Sequence, residues 1–262
     1  MTHVPLHERS GVDGFLRAVR LDGEDPSGAR RGYPWALPFV STLVAPGGMA
    51  LHPAVTYLVG ENGSGKSTLM EALAVACGLN PEGGSSNFSF ATRESHSALG
   101  DALSLVRGAR RPRTDFFLRA ESLFTAASYL EALPPELSGR GSLDAYGGRS
   151  LHEQSHGESF LAVLLHRFGG QGLYLLDEPE AALSTQNQLT FLRRVHELVG
   201  ERSQFVIATH SPLVLAYPDS IIYELSADAP PAAIDYESAE PVRLTRGFLA
   251  DRERFLAALL DE

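Results

Sequence analysis

The sequence predicts an α/β fold with a mainly parallel central sheet flanked by helices, and three stretches carry that expectation. The first is the apolar run Val55-Thr56-Tyr57-Leu58-Val59, which leads through Gly60-Glu61-Asn62-Gly63-Ser64-Gly65-Lys66-Ser67-Thr68 into a helix-like run ending near Cys77. The second is Leu173-Tyr174-Leu175-Leu176, which ends in Asp177-Glu178-Pro179-Glu180. The third is Gln204-Phe205-Val206-Ile207-Ala208, which ends in Thr209-His210-Ser211-Pro212. Each is a short continuous apolar run, the pattern of a strand covered on both faces. Between the second and third, Gln186 to Val199 follows the 3.6-residue period and supplies the connecting helix.

Taken in order, Phe15 to Leu21 alternates apolar and basic residues and reads as an early, half-exposed strand. A turn-rich stretch from Asp22 to Gly32 follows, and Leu37 to Val44 then reads as a second strand before Pro46-Gly47-Gly48. Tyr33 and Trp35 admit two readings, an aromatic that stacks on an adenine or an anchor packed under a loop. Gly78 to Ser97 is a loop or insertion rich in Gly, Ser, Asn and Pro. Arg107, Arg110, Arg111 and Arg113 form a small basic cluster that reads as solvated surface, with a phosphate-contacting patch as the alternative. Phe116-Phe117-Leu118 is a buried strand bringing Arg119 and Glu121 to its end. Leu123 to Leu133 is a helix stopped by Pro134-Pro135, and a Gly-rich connection runs to Arg149. Ser155-His156-Gly157-Glu158-Ser159 opens an amphipathic helix whose polar start is an anion site by geometry. After His210, Ser220 to Leu225 is a further strand, and Thr245 to Leu260 a closing helix with a threonine cap.

The chemistry begins with Gly60 to Ser67. The spacing G-x-x-x-x-G-K-S between a strand and a helix is that of a phosphate-binding P-loop. Glycines let Gly60, Asn62, Gly63, Ser64 and Gly65 turn backbone N–H groups around phosphate oxygens, with Lys66, Ser67 and Thr68 opening a helix whose positive end points at them. Lys66 reaches the β- and γ-phosphates, and the Ser67 hydroxyl completes a Mg²⁺ shell. Lys66 is also the one lysine of the chain, every other basic side chain among the 22 being arginine. Asp177 and Glu178 fall beyond the carboxyl end of a sheet strand, where ligands bind in such folds. Asp177 suits Mg²⁺ opposite Ser67, and Glu178 suits the orientation of an attacking water. An acidic helix cap is the alternative reading of Asp-Glu-Pro. His210, at the end of the next strand, is placed to reach a γ-phosphate.

Composition sets outer limits. With 262 residues, 44% of them apolar and 21% charged, there is material for one large domain with a soluble surface. No apolar run approaches the roughly 20 residues of a membrane-spanning helix, and Met1 to Glu8 lacks the pattern of an export signal. Cys77 stands alone, so disulfides are not expected and a cytoplasmic location is the default. A net charge of −10 excludes a global attraction to nucleic acid or anionic lipid, while a local basic patch stays open.

The order of these motifs resembles that of ABC-type ATPases, and is most similar to small stand-alone members described as ATPases of an AAA/SMC-like group. Gly60 to Ser67 is similar to the Walker A motif, and Leu173 to Glu178 to the Walker B motif with its adjacent catalytic glutamate. Thr209-His210-Ser211 is similar to the switch histidine, and Gln154 to Glu158 to the signature motif. The resemblance implies a P-loop NTPase fold with an N-terminal antiparallel β portion and a small helical lobe over about residues 120–168, in one domain spanning 1–262. It implies ATP and Mg²⁺ as ligands. It further implies a homodimer formed head to tail, in which Ser155, Gly157 and Glu158 meet the ATP held by the other copy. Glu121 lies where the family's metal- and water-coordinating glutamine is expected, which adds it to Ser67 and Asp177 as a metal candidate. His156 replaces a signature glycine, and Ser184 stands where the D-loop has aspartate.

Three functions remain open at this stage. The first is an ATPase with an unidentified protein or nucleic-acid partner, in DNA maintenance or defence. The second is the nucleotide-binding subunit of a membrane transporter, disfavoured by the short, Gly/Pro-broken segment between Glu121 and Ser155. The third is an ATP-dependent clamp with negligible hydrolysis.

Overall fold

The computed structural model describes residues 13–21, 30–81, 83–84, 98–119 and 156–260. The chain runs through β1 (Leu16–Leu21), α1 (Phe39–Val44), β2 (Met49–Ala50), β3 (Val55–Val59), α2 (Lys66–Cys77), α3 (Ala98–Ala102), β4 (Leu103–Arg107) and β5 (Thr114–Arg119). It continues with α4 (His156–Ala162), prolonged by a π-helical turn over Val163–Arg167, then β6 (Gly172–Asp177), α5 (Thr185–Gly200), β7 (Gln204–Ala208) and β8 (Ser220–Glu224). β9 (Ala232–Ile234), α6 (Glu240–Ala250) and α7 (Arg252–Leu260) complete it.

Among the described residues, six strands form the central sheet in the order β5-β6-β7-β3-β8-β9. The first five are parallel and β9 is antiparallel at the edge. The three strands predicted as doubly covered are β3, β6 and β7, and every residue in them is buried. A separate antiparallel sheet, β2-β1-β4, supplies the N-terminal β portion.

Side chains alternate across the central sheet and feed two apolar layers. On one face Tyr57, Tyr174, Leu176, Phe205 and Ile207 pack against Phe160 and Phe168, and against Phe191, Val195 and Leu198 of α5. On the other, Leu58, Leu175 and Val206 meet Leu69, Met70 and Leu73 of α2, together with the small sheet and α1. Truncating a fully buried aromatic such as Phe191 to alanine would cost about 3–5 kcal/mol. The two sheets are pinned by Gln204, which is buried. Its amide donates to the carbonyls of Leu16 at 2.7 Å and His52 at 2.9 Å, and accepts from the Leu16 N–H at 2.9 Å.

Four expectations change. Leu37–Val44 is not a strand: Phe39 to Val44 is helical, with Phe39, Val40 and Leu43 on its buried face. A short apolar run does not declare its period, and a helix buried by one face reads like a strand. β4 was not anticipated. It pairs antiparallel with β1, and its residues are half-buried up to the exposed Arg107. The closing helix divides at Asp251 into α6 and α7, because the Asp251 carboxylate accepts from the Arg254 N–H at 3.1 Å and caps a new helix. Proline at the start of α6 fits its first turn, so that helix begins at Glu240 rather than Thr245. The helix expected over Leu123–Leu133 and most of the helical lobe lie outside the described residues.

Candidate functional site

The sheet register builds the site. Leu58 of β3 lies opposite Ala208 of β7, Ala208 opposite Asp177 of β6, and Asp177 opposite Arg119 of β5. Four parallel strands therefore stop on one line, and the residues that follow them meet at the carboxyl rim of the sheet. Backbone bonds continue the alignment past the strands: Glu178 N–H donates to Ala208 O at 2.9 Å, and Thr209 N–H to Leu58 O at 3.1 Å.

Between β3 and α2 the chain turns on Gly60, Gly63 and Gly65, with φ of 142°, 85° and 94°. A side chain at Gly65 would also press on the Phe39 ring, its Cβ only 2.7 Å from Cε1. The helix α1 thus braces the loop from behind. Lys66 is buried and curls back over the loop, its Nζ donating to the carbonyls of Gly60 at 2.8 Å and Glu61 at 3.0 Å. Burial pulls its ammonium below the ordinary lysine range, opposed by the charges of Glu178, Asp177 and Glu180. The Ser64 hydroxyl is buried and has no hydrogen-bond partner among the described residues.

At the start of α2 the Ser67 Oγ lies 3.4 Å from Asp177 Oδ1. Asp177 is 3% exposed, and its other oxygen faces Arg119 Nε at 3.3 Å. Burial lifts the Asp177 carboxyl to about 6, against the lowering effect of the Arg119 charge and the Ser67 hydrogen bond. Among the described residues no cluster of three or more His, Cys, Asp or Glu forms a cation cage. Ser67 and Asp177 offer hard oxygens, which suits a cation that keeps most of its shell for water and phosphate oxygens, as Mg²⁺ does.

Glu178 adopts a left-handed conformation, φ 50° and ψ 54°, unusual for a side-chain-bearing residue and rarer still before proline. Such strain persists where the surroundings fix it, here through the bond from its N–H to Ala208, and it leaves the carboxylate partly exposed at the rim. His210 Nε2 lies 3.6 Å from Glu178 Oε1, beyond hydrogen-bond range, and has no other partner among the described residues. The His210 backbone N–H donates to Glu180 Oε1 at 2.5 Å, which holds the turn after β7 against the turn after β6.

A cleft of about 350 Å³ opens over the loop, lined by Asn62, Gly63, Gly65, Lys66, Ser67, Thr68 and Glu178, with Tyr33 and Leu37 at its side. The predicted residues from Gly60 to Thr68 thus sit together with Asp177, Glu178 and His210. Tyr33 is exposed, and its hydroxyl is 2.8 Å from Thr68 Oγ1. Trp35 instead packs against the core beneath Arg30, so of the two aromatics it is the anchor. Gly157 and Glu158 do not line the cleft. Gly157 abuts Ala182, to whose carbonyl oxygen an added Cβ would come within 2.9 Å. Ser155 and Glu121 lie outside the described residues. Ser184 accepts from the Asn187 N–H at 3.3 Å and caps α5, which accounts for a serine there. Arg110 of the basic cluster is tied down by a bond to Asp13 O at 3.0 Å and lies over the Phe15 ring. Three participants carried no expectation: Glu71, Glu180 and the tie from Arg119 to Asp177. Only Arg119 and Glu180 had a signal, their place beside predicted strand ends.

Two family descriptions match this chain. "AAA domain, putative AbiEii toxin, Type IV TA system" matches residues 110–216, and "AAA domain" matches residues 49–116, so the matched stretches overlap over residues 110–116 and together contain every strand end just described. The hemin import ATP-binding protein HmuV of Vibrio cholerae is 29% identical over 196 residues, covering 64% of this chain and 70% of the relative. These matches support the ABC-type/AAA superfamily of P-loop ATPases for this chain. Among solved structures, this chain is similar to the SMC head domain from Thermotoga maritima, at 17% identity and TM-score 0.43 over 84% of this chain and 99% of that one. It is also similar to cbiO1 from Clostridium perfringens, part of an ABC transporter complex, at 16% identity and TM-score 0.45 over 94% and 100%. Among the described residues, no helix is long and apolar enough to cross a membrane.

Proposed function

We propose that this chain binds ATP with Mg²⁺ and hydrolyses it, in a cycle that closes and opens a head-to-tail homodimer. It would act in the cytoplasm, as one ATPase domain over residues 1–262, on an unidentified protein or nucleic-acid partner, with DNA maintenance or defence as the setting. The observation that carries the reading is the approach of Ser67 to Asp177 at 3.4 Å beside the only lysine of the chain.

In this reading the amides of Gly60 to Thr68 wrap the phosphates. Lys66 exchanges the Gly60 and Glu61 carbonyls for phosphate oxygens, a charge-assisted bond stronger than those it leaves. Ser67 and Asp177, with Glu121 as a further candidate, hold Mg²⁺, which when bound neutralises phosphate charge and fixes its oxygens. Glu178, held at the rim by its backbone, orients the attacking water, and His210 Nε2, without a hydrogen-bond partner among the described residues, donates to the γ-phosphate. That Gly157 and Glu158 stand away from their own cleft supports the assignment of Ser155, Gly157 and Glu158 to the other copy's ATP. The test is phosphate release by the wild type against Lys66→Ala and Glu178→Gln. A wild-type rate no higher than either variant's sinks the hydrolysis and leaves an ATP-dependent clamp.

A second reading, the nucleotide-binding subunit of a membrane transporter, is supported by the similarity to a hemin import ATP-binding protein. Purification from membranes together with an integral-membrane partner would favour it over the first.

A further inference from the structure

We infer that Arg119 is the residue that positions Asp177 for a divalent cation, an inference that rests on the ATPase reading above. Arg119 closes β5 directly beside Asp177 in the sheet register. Its guanidinium reaches in two directions: Nε faces Asp177 Oδ2 at 3.3 Å, and Nη1 meets Glu71 Oε1 at 2.5 Å. The two oxygens of Asp177 are thereby divided. Oδ2 is held from the rear, and Oδ1 is left facing the Ser67 hydroxyl at 3.4 Å. Glu71 lies four residues after Ser67 on α2, so the two project from one face of that helix. Arg119 therefore ties β5, the end of β6 and the face of α2 that carries Ser67 into one unit.

The arrangement needs arginine. Asp177 is 3% exposed, so water does little to orient it, and Glu71 and Glu178 place like charges nearby. A planar fork can engage two carboxylates at fixed angles, whereas an ammonium on a flexible stem offers rotatable donors with no fixed direction. One effect runs the other way, since a guanidinium repels a divalent cation. Here Asp177 and Glu71 already balance that charge. Loss of the partner that orients a ligating carboxylate commonly weakens metal affinity by about 10–100-fold, and orientation outweighs the residual repulsion.

The test separates cation binding from nucleotide binding in the full chain. Binding of a fluorescent ATP analogue is measured in EDTA, and Mn²⁺ uptake by the ATP-saturated protein is measured by electron paramagnetic resonance. Arg119→Ala is expected to change the metal-free ATP affinity by no more than about twofold while raising half-saturating Mn²⁺ about tenfold or more, with Arg119→Lys restoring only part of the loss. If Arg119→Ala does not fold, as judged by its circular dichroism and melting curve, Arg119→Gln carries the same expectation. Wild-type uptake of Mn²⁺ with unchanged or tighter uptake by the folded variant overturns the inference alone. A wild type that binds no Mn²⁺ in the presence of ATP overturns the ATPase reading and the inference together.

Discussion

Ser67 and Asp177, 110 positions apart in sequence, face each other at 3.4 Å because β6, β7 and β3 end in register. The hydroxyl comes from the first turn of α2 and the carboxylate from the last residue of β6. Neither side chain has freedom to search for the other, because Asp177 starts from a buried strand and Ser67 from a helix packed on that sheet. A site built this way stands before its ligand arrives, and binding need only displace the internal contacts that Lys66 makes.

Lys66→Ala should lose ATP. The ammonium is buried over the loop and satisfied by two carbonyls, so its removal costs the phosphate a desolvated cation. Hydrogen bonds to charged groups contribute about 1.5–3 kcal/mol, so affinity should fall about 10–100-fold or beyond measurement. Isothermal titration with ATP checks this, and wild-type affinity in the variant would contradict the loop assignment.

Glu178→Gln should keep ATP and lose turnover. The amide is nearly isosteric, and Glu178 is held by its backbone at the rim, so the site's shape persists. Removing a general base commonly costs about 10²–10⁴-fold in rate. With hydrolysis blocked, ATP should accumulate a dimer detectable by light scattering after gel filtration. A variant that remains monomeric at saturating ATP would remove the head-to-tail cycle from the account.

What could be read from sequence follows burial. β3, β6 and β7 are buried on both faces, so their apolar runs are continuous and announce themselves. β4 is half-buried and mixes serine and arginine with leucine, a pattern that a turn-rich neighbourhood hides. α1 carries six apolar or small residues in a row, which leaves strand and helix equally open until its packing on Gly65 is known. The loop residues and Asp177-Glu178 were legible because phosphate chemistry fixes their spacing along the chain. Glu71, Arg119 and Glu180 were not, because their partners are set by strand register and by a turn thirty residues away.

Asp177 makes a prediction about pH. Its ordinary value is 3.8, and burial lifts it to about 6 in the folded chain, so the fold holds this proton more tightly than the unfolded chain does. The stability contributed by the neutral form is complete below about pH 4 and is lost as pH rises through about 6, after which it stays lost. Asp177→Asn keeps a neutral side chain at every pH. In EDTA without nucleotide, the variant should exceed the wild type by about 3 kcal/mol near pH 7.5, with the advantage gone below about pH 4. Urea unfolding at the two pH values measures it. An asparagine variant less stable than wild type at the higher pH would show that the Arg119 ion pair outweighs the burial cost.

Gly157→Ala tests whether α4 and the turn after Glu178 move as one body. An added Cβ at Gly157 would sit 2.9 Å from Ala182 O, closer than such contacts normally come, and that oxygen belongs to backbone and cannot swing aside. The start of α4 must then shift away from the 3₁₀ turn Pro179–Ala182 that follows the rim carboxylate. The cleft over Lys66 does not include Gly157, so ATP affinity of the monomer should stay within about twofold of wild type, as for substitutions that share no partner with a site. The displaced helix start should instead fail to meet the ATP of the other copy, and the ATP-driven dimer of Glu178→Gln should be lost when Gly157→Ala is added. Persistence of that dimer at unchanged protein concentration would assign Gly157 to packing against Ala182 alone.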